Sequence, residues 1–262
     1  MEPSRWALIL GASSGFGAAA ALGLARAGFH VAGVHLDRRS TLANVARIVD
    51  AIEAQGRQAR FFNVNASDAL RRAEVIRACG ECVGAREGTG IRTVLHSLAF
   101  GTLKPYIGTR DSIRPADMHM TLDVMAHSLV YWVQDLRAAG LIGRGSKIFA
   151  MTSAGSHRVW PAYGAVSAAK ASLEAHVRQL AVELAPSGIS VNAIQAGVTD
   201  TPAARRIPGS DRMLARALEH NPGGRLTSPE DVAELITALS LSDSSWMTGN
   251  VIRVDGGEDL LA

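Results

Sequence analysis

The chain has 262 residues, of which 47% are hydrophobic and 19% charged, and its formal net charge is +3 at pH 7. The hydrophobic fraction excludes a disordered chain, and the mild, scattered positive charge gives no reason to expect a nucleic-acid partner. No apolar run reaches the roughly 18 residues of a membrane span, and the N-terminus lacks the pattern of a signal peptide. We therefore predict one α/β domain that spans residues 1–262 and works in the cytoplasm.

Short β-rich apolar runs alternate with longer segments of helical period along the chain. This alternation predicts a single doubly wound (Rossmann) parallel sheet of seven strands with helices on both faces. The predicted strands are 6–10, 31–35, 59–64, 94–97, 147–152, 190–194 and 250–254. The predicted helices are 15–27, 41–55, 115–139, 164–184 and 229–239, and residues 71–83 also have a helix-like pattern.

The first predicted strand runs directly into a glycine-rich turn, residues 11–17, that opens the first helix. Glycines permit a tight turn and let the backbone approach a pyrophosphate, which the free N–H groups of the helix N-terminus attract. The strand-turn-helix context makes this run far more specific than a glycine pattern alone. We predict a dinucleotide site whose contacts are Gly11, Ser13, Ser14, Gly15, Phe16 and Gly17.

The end of the second strand decides between the two nicotinamide cofactors, and it reads His35-Leu36-Asp37-Arg38-Arg39. An acid at this place binds the adenosine ribose diol and repels a 2′-phosphate, whereas an arginine binds the phosphate. Asp37 therefore favours NADH, and Arg38 or Arg39 favours NADPH. We predict NADPH, with His35, Arg38 and Arg39 at the site, and leave NADH open.

Two cysteines, Cys79 and Cys82, have the spacing of a redox or metal-binding pair. No second pair of cysteines or histidines completes a tetrahedral site. We interpret both as structural residues and predict no metal.

The most specific pattern joins Tyr163 to Lys170, seven positions later on a predicted helix, with Ser153 upstream. Seven positions are nearly two turns, so the two side chains share one face about 10 Å apart along the axis. A nearby ammonium is expected to lower the pKa of a phenol that must donate a proton. Either residue alone is more often an ordinary surface or half-buried side chain. Together, behind a cofactor turn, they predict catalytic residues.

The segment 199–221 is the least regular part of the sequence and is rich in proline, glycine and arginine. Such a segment is more often a mobile cover over a site than a core element, so we predict a substrate lid. Arg205, Arg206 and Arg212 would meet an acidic partner or a phosphate there, although solvated surface charges explain them as well.

Together these residues resemble the short-chain dehydrogenase/reductase superfamily over nearly the whole chain. Its usual catalytic pair is Tyr-x3-Lys, but Val166 stands four residues before Lys170, and Tyr163 gives Tyr-x6-Lys. That spacing resembles the enoyl-acyl-carrier-protein reductases. Ser153 stands where the common type has a second tyrosine, which resembles the ketoreductase-like branch that prefers NADPH. Met125 replaces the asparagine of the ketoreductase proton relay.

The resemblance also implies functions for further residues. Lys170 would bind the nicotinamide ribose, the Val198 backbone would hold the nicotinamide amide, and Thr201 would touch the pyrophosphate. Further cofactor contacts implied by the resemblance are Asn63, Val64, Ser97 and Gly197.

The resemblance implies reduction of trans-2-enoyl thioesters on acyl-carrier protein or coenzyme A, in fatty acid biosynthesis. Tyr163 would stabilise the enolate oxygen, and Ser153 would add a second donor. One alternative is a ketone or alcohol oxidoreductase such as a 3-oxoacyl reductase, which would need a tyrosine at position 166. The alternative from another class is a non-catalytic dinucleotide sensor.

The resemblance further implies a homotetramer built on the helices around 115–139 and 164–184. Apolar residues on these helices are either its interface or part of the monomer core. They are Leu122, Met125, Leu129, Leu173 and Val177.

Overall fold

The computed structural model describes residues 5–83, 90–108 and 110–261, so the predicted domain, 1–262, includes a few residues outside these ranges. Its centre is a seven-stranded sheet in which all the strands are parallel. The strands are β1 (Trp6–Leu10), β2 (His30–His35), β3 (Ala59–Asn63), β4 (Ile91–His96), β5 (Lys147–Ser153), β6 (Ser190–Ala196) and β7 (Val251–Val254). Their order across the sheet is β3-β2-β1-β4-β5-β6-β7, which confirms the predicted doubly wound fold.

Helices cover both faces of this sheet. They are α1 (Gly15–Arg26), α2 (Leu42–Glu53), α3 (Ala69–Val83), α4 (Pro115–Leu122), α5 (Ser128–Ala138), α6 (Gly164–Leu184), α7 (Ser210–His220) and α8 (Pro229–Leu241). A π-helical turn, Asp123–His127, joins α4 to α5, and short 3-10 turns lie at Ala154–Ser156, Ala185–Ser187, Ala204–Arg206 and Glu258–Leu260. In the described part of the chain, no helix is both long and apolar enough to cross a membrane.

The alternation of side chains along β1 shows how the two layers form. Leu8 and Leu10 point into one apolar cluster, shared with α3, α5 and α6, whereas Ala7 and Ile9 point into another, shared with α1, α2 and α8. All four are completely buried. A strand that is apolar throughout is what a doubly covered parallel sheet requires.

The apolar residues expected at a subunit interface lie mostly inside the monomer. Met125, Leu129, Leu173 and Val177 are all buried in the first cluster, and Leu122 is only partly covered. The core interpretation of these four residues is therefore the one that the structure supports, and they offer no free surface to a partner.

Two predicted elements differ from the structure. The helix predicted over 115–139 is interrupted by the π-helical turn. The apolar pattern did not predict this turn, because one extra residue in a single turn changes the helical period too little to be recognised. The segment 199–221 contains the eleven-residue helix α7 rather than irregular chain. The many charged residues of α7 obscured its short apolar face in the sequence. This face is made by Leu214 and Ala217, which are both buried.

The cysteine prediction falls on α3. Cys79 and Cys82 are both free thiols, and burial raises the pKa of Cys79 to about 12. Among the described residues, no group of three or more His, Cys, Asp or Glu side chains is arranged to hold a metal ion.

Strand order reverses between β1 and β4, and there the loops leave the carboxyl ends of the strands in opposite directions. In open α/β sheets this switch point opens the crevice in which ligands bind. The turn after β1, the loops after β4 and β5 and the segment after β6 all meet at this edge.

Candidate active site

A cavity of about 500 Å³ lies at the carboxyl edge of the sheet. Ser153, Tyr163 and Lys170 all line it, so the structure brings the three predicted catalytic residues together. Predicted cofactor residues from both halves of the sheet line the same cavity. They are Phe16, Ser97, Gly197, Val198 and Thr201.

We name the side of the cavity formed by Met125, Ser153, Tyr163, Val166 and Lys170 the catalytic wall. Ser153 and Tyr163 form its centre. Ser153 is the last residue of β5, and its hydroxyl accepts a hydrogen bond from the Gly155 backbone N–H at 3.2 Å. Burial raises the pKa of Tyr163, and the hydrogen bond between its phenol and the Ser153 hydroxyl only partly opposes this rise. The phenol is therefore protonated at neutral pH, as a donor must be.

A glycine is needed beside this pair. A Cβ atom at Gly155 would lie 2.6 Å from Cε1 of Tyr163 and 3.1 Å from the Ser153 oxygen. Real Cβ atoms do not approach an aromatic ring so closely, so any side chain at position 155 would push the phenol away from Ser153.

Lys170 is buried, and its Nζ donates a hydrogen bond to the Met151 carbonyl oxygen at 2.6 Å. Burial lowers the pKa of Lys170 to about 8, against an opposing effect of Glu174. Lys170 does not lower the pKa of the phenol as expected. Burial raises the pKa of Tyr163, and the hydrogen bond with Ser153 is what opposes this rise. The lysine is instead a buried cation fixed to β5.

Val166 and Met125, which the resemblance aligns with the tyrosine and the asparagine of ketoreductases, are both apolar. Both are buried, both line the cavity, and neither carries a hydroxyl or an amide. Gly101 packs so closely against them that an added Cβ would lie 2.8 Å from Val166 and 2.9 Å from the Met125 sulfur. The catalytic wall therefore offers the Tyr163 phenol and no tyrosine at the alternative position.

The glycine-rich turn fits a pyrophosphate. A Cβ atom at Gly17 would overlap the Gly11 carbonyl oxygen, and Gly11 itself has φ of 92°. The first turn of α1 carries no acidic residue, and the Ser14 side chain makes no capping hydrogen bond in the described structure. Because the first N–H groups of a helix lack internal partners, this end attracts an anion.

Asp37 occupies the end of β2, where the cofactor choice was predicted to be made. Its carboxylate lies 2.9 Å from Nδ1 of His35, and its backbone is bonded in both directions to the Asn63 side chain, at 2.9 and 3.0 Å. Burial alone would raise the pKa of Asp37, but hydrogen bonds with Ser13, Thr41 and His35 together lower it. A fixed negative charge therefore stands beside the glycine-rich turn, while Arg38 and Arg39 extend into solvent.

The segment after β6 also lines the cavity, through Val198, Thr199 and Thr201. Thr201 faces the turn after β1, since a Cβ at Gly15 would lie 3.5 Å from its methyl group. The Val198 backbone N–H, predicted to hold the nicotinamide amide, donates instead to Glu258 Oε2 at 3.0 Å. Burial raises the pKa of Glu258.

Sequence reasoning missed Glu258 and its neighbour Asp259, although both line the cavity. Two acids after a glycine pair near the chain end have no spacing that marks a site. Their position comes entirely from the return of the chain after β7.

The segment 199–221 forms an apolar side of the cavity through Ala203, Ile207, Met213 and Ala217. Of the arginines considered there, Arg205 pairs with Asp200 and Asp211 at 2.6 and 2.7 Å. Arg206 lines the cavity, and Arg212 is exposed outside it.

The model of one protein family, described as enoyl-(acyl carrier protein) reductase, matches residues 11–258. A short-chain dehydrogenase/reductase of Armillaria gallica is 29% identical over 98% of this chain and 97% of its own length. The 1-cyclohexenylcarbonyl-CoA reductase of Streptomyces collinus is 30% identical over 97% of this chain and 87% of its own length. An NADH-dependent enoyl-[acyl-carrier-protein] reductase of Buchnera aphidicola is 32% identical over only 64% of each chain.

Solved structures agree in fold. A dehydrogenase/reductase of Sinorhizobium meliloti has a TM-score of 0.83 at 28% identity, with coverage of 97% of this chain and 95% of that one. The enoyl-[acyl-carrier-protein] reductase (NADH) of Aquifex aeolicus has the same TM-score at 24% identity, with coverage of 98% and 96%.

Proposed function

Because this chain belongs to the enoyl-(acyl carrier protein) reductase family, we propose that it reduces the double bond of trans-2-enoyl thioesters with NAD(P)H. It is an oxidoreductase of the short-chain dehydrogenase/reductase superfamily, and the double-bond specificity is the part that we propose. The observation that carries the proposal is the catalytic wall, in which the Tyr163 phenol faces the cavity and Val166 occupies the alternative tyrosine position.

The cofactor, when bound, supplies a hydride to the β-carbon of the enoyl group. Tyr163 donates a hydrogen bond to the thioester oxygen, on which negative charge develops as the enolate forms. The hydrogen bond with the Ser153 hydroxyl keeps the phenol beside β5, where it lines the cavity. The enolate then takes a proton from solvent at its α-carbon, so that one hydride and one proton complete the reduction.

Lys170 has a separate task. Its ammonium is charged at neutral pH, since its pKa is about 8, and it stands at the base of the cavity. It binds the ribose hydroxyls next to the nicotinamide, and the Met151 carbonyl keeps the lysine side chain extended toward them. The positive charge also favours the developing enolate.

The remaining cofactor contacts follow the sheet edge. The N–H groups at the start of α1 bind the pyrophosphate, and Gly11 and Gly17 let it approach. We propose NADPH as the preferred cofactor, because Arg38 and Arg39 are exposed and have no ion-pair partner among the described residues. Asp37 supports NADH instead, and the two arms of the assay below decide between them.

The thioester is proposed to arrive on acyl-carrier protein or coenzyme A. The apolar side of the cavity suits an acyl chain, and Arg206 at its wall suits a phosphate of the carrier. A role in fatty acid biosynthesis, a cytoplasmic location and a homotetrameric assembly complete the proposal. Light scattering on the purified protein tests the assembly.

The test is the oxidation of NADPH, and separately of NADH, with crotonyl and longer trans-2-enoyl thioesters beside a 3-oxoacyl thioester. We expect turnover of the enoyl substrates, and Tyr163→Phe should reduce kcat by about a hundredfold or more because one oxyanion donor is lost. Tyr131→Phe is the matched control, because Tyr131 lies outside the cavity, against Arg72.

Turnover of the 3-oxoacyl substrate alone would overturn the proposal and leave a ketoreductase, which the Ser153–Tyr163 hydrogen bond would also serve. Binding of cofactor without turnover of either substrate would leave a sensor or a reductase of another substrate.

A further inference from the structure

The chain returns to the cavity after β7 in a compact segment, residues 255–261, which we name the C-terminal turn. Asp255 shapes it by accepting hydrogen bonds from the backbone N–H groups of Gly257, at 2.9 Å, and Asp259, at 3.2 Å. The turn lines the cavity through Asp255, Glu258, Asp259 and Leu261. It is therefore a wall of the site and not a loose chain end.

Asp259 is the most connected residue of this turn, and only 4% of its side chain is exposed. Its carboxylate receives four donors from three different parts of the chain. They are Arg158 Nε at 2.7 Å, His157 Nε2 at 3.0 Å, Gln195 Nε2 at 3.0 Å and Arg253 at 3.3 Å.

These donors belong to two groups with different positions. Gln195 lies on β6 and Arg253 on β7, so they anchor the carboxylate to the sheet. His157 and Arg158 belong to the segment 154–162, which we name the catalytic loop because it begins after Ser153 and ends at Tyr163. Asp259 therefore ties the catalytic loop to the sheet edge.

The catalytic loop needs such external support. Ala162, the residue before Tyr163, has φ of 61°, a left-handed conformation that costs a residue with a Cβ roughly 1 kcal/mol. Val159 is 96% exposed. A second tether of the loop is the Trp160 ring, whose N–H donates to the Pro208 carbonyl oxygen at 2.9 Å.

The charges of Arg158 and His157 add to the attachment at Asp259, whose own side chain is almost fully buried. Burial alone would raise the pKa of Asp259, but the hydrogen bond from Gln195 and the charges of Arg158 and His157 together lower it. A carboxylate that is buried and multiply bonded holds its partners in fixed geometry. Arg158 adds a second bond to this turn, to the Leu261 carbonyl oxygen at 3.3 Å.

We propose that Asp259 is a positioning residue for the reaction, because it fixes the catalytic loop so that the Tyr163 phenol faces Ser153 and the substrate oxygen. Asp259 acts through His157 and Arg158 and touches no reacting atom. The inference rests on the proposed function, since it assigns the loop to the placement of the oxyanion donor.

The first measurement compares wild-type protein with Asp259→Asn in steady-state kinetics. We expect kcat for the enoyl substrate to fall by about tenfold or more, because a misplacement of the donor by a fraction of an ångström is costly. The KM for the cofactor should change by less than about twofold. The kcat of Asp259→Ala should fall further, and Asp243→Asn, which removes an exposed carboxylate that pairs with Arg92, should match wild type.

The second measurement needs no substrate. Cleavage by trypsin after Arg158 requires local unfolding of the catalytic loop around the scissile bond, so Asp259→Asn should accelerate this cut by about tenfold. Cleavage at other exposed sites, such as Arg144, should keep its wild-type rate. A purely structural role would accelerate all cuts together and lower the melting temperature in proportion.

The inference is overturned if Asp259→Asn keeps the wild-type kcat, or if cleavage after Arg158 is no faster than at the other sites. The proposed function fails separately if wild-type protein turns over no enoyl thioester. In that case selective cleavage after Arg158 still establishes that Asp259 holds the loop, and its effect is then measured on whichever substrate is turned over.

Discussion

The two ends of the cavity are held in place by different means. At the cofactor end, the turn after β1 is shaped by glycines whose backbone atoms approach one another closely, and the Asn44 side chain adds a hydrogen bond to the Ser13 carbonyl oxygen at 2.6 Å. At the catalytic end, the loop before Tyr163 contains an alanine with φ of 61°, and its own side chains tie it to Asp259 of the C-terminal turn and to the Pro208 carbonyl oxygen of the segment 199–221. A backbone-built region depends on single glycines, whereas a tethered region depends on residues that are distant in sequence.

The largest effect is expected from Gly17→Ala at the cofactor end. The new Cβ would overlap the Gly11 carbonyl oxygen, so the turn must open and cofactor affinity should fall by about a hundredfold. Fluorescence titration with NADPH and NADH measures the loss, and circular dichroism checks that the protein is folded. Gly143→Ala is the control, because its Cβ would meet nothing within 4 Å. Normal binding by folded Gly17→Ala would contradict the backbone-built description.

A similar exchange at the catalytic end should separate the two regions. Gly155→Ala would press on the Tyr163 ring, so we expect kcat to fall by about tenfold while the dissociation constant of the cofactor stays within about twofold. The same titration and a steady-state assay give both values. If Gly155→Ala weakened cofactor binding as much as it lowered kcat, the cofactor end and the catalytic end of the cavity would be coupled. The two regions could then not be treated as independent.

The pH dependence should report the buried cation. The pKa of Lys170 is lowered to about 8, so its charged form is present below pH 8 and is lost as the pH rises through that value. The pKa of Tyr163 is raised, so the phenol stays protonated over the same range. We expect kcat/KM to fall above about pH 8 with one inflection. In Lys170→Arg any residual activity should lack this inflection, and an unchanged profile would assign it to another group.

The smallest effect is expected from Glu258→Ala. Its carboxylate accepts the Val198 N–H that we assign to the nicotinamide amide, so cofactor must displace it. Removing this competitor should tighten cofactor binding by about threefold. Glu258→Gln, which keeps an acceptor oxygen, is the control and should change the affinity less. Weaker binding in Glu258→Ala would show that Glu258 contacts the cofactor directly.

The sheet and the cofactor turn were predictable because local patterns encode them. Apolar runs such as 190–194 mark strands buried on both faces, and the glycines at 11, 15 and 17 mark a turn whatever follows. The pair of Tyr163 and Lys170 was also local, since one helix carries the spacing. The tethers were not predictable, because Asp259 lies 101 residues after Arg158 and meets it only through the return of β7.

The raised pKa of Tyr163 was missed for a related reason. The spacing to Lys170 showed that the two side chains share a helix face, but it could not show that the ammonium turns to the Met151 carbonyl. Nor could it show how deeply the phenol is buried. Burial is a property of the assembled walls, and here it outweighs the Ser153 hydrogen bond.

The π-helical turn between α4 and α5 sets the rotation of one helix relative to the other. A π turn holds one residue more than the α-helical pattern, as an inserted residue would. An α-helix advances about 100° per residue, so deleting one residue from 123–127 would rotate α4 relative to α5 by about that angle. Thr121, whose hydroxyl accepts the Thr102 N–H at 3.0 Å, would then swing away from the loop after β4. The extra residue thus sets the phase in which α4 meets the site.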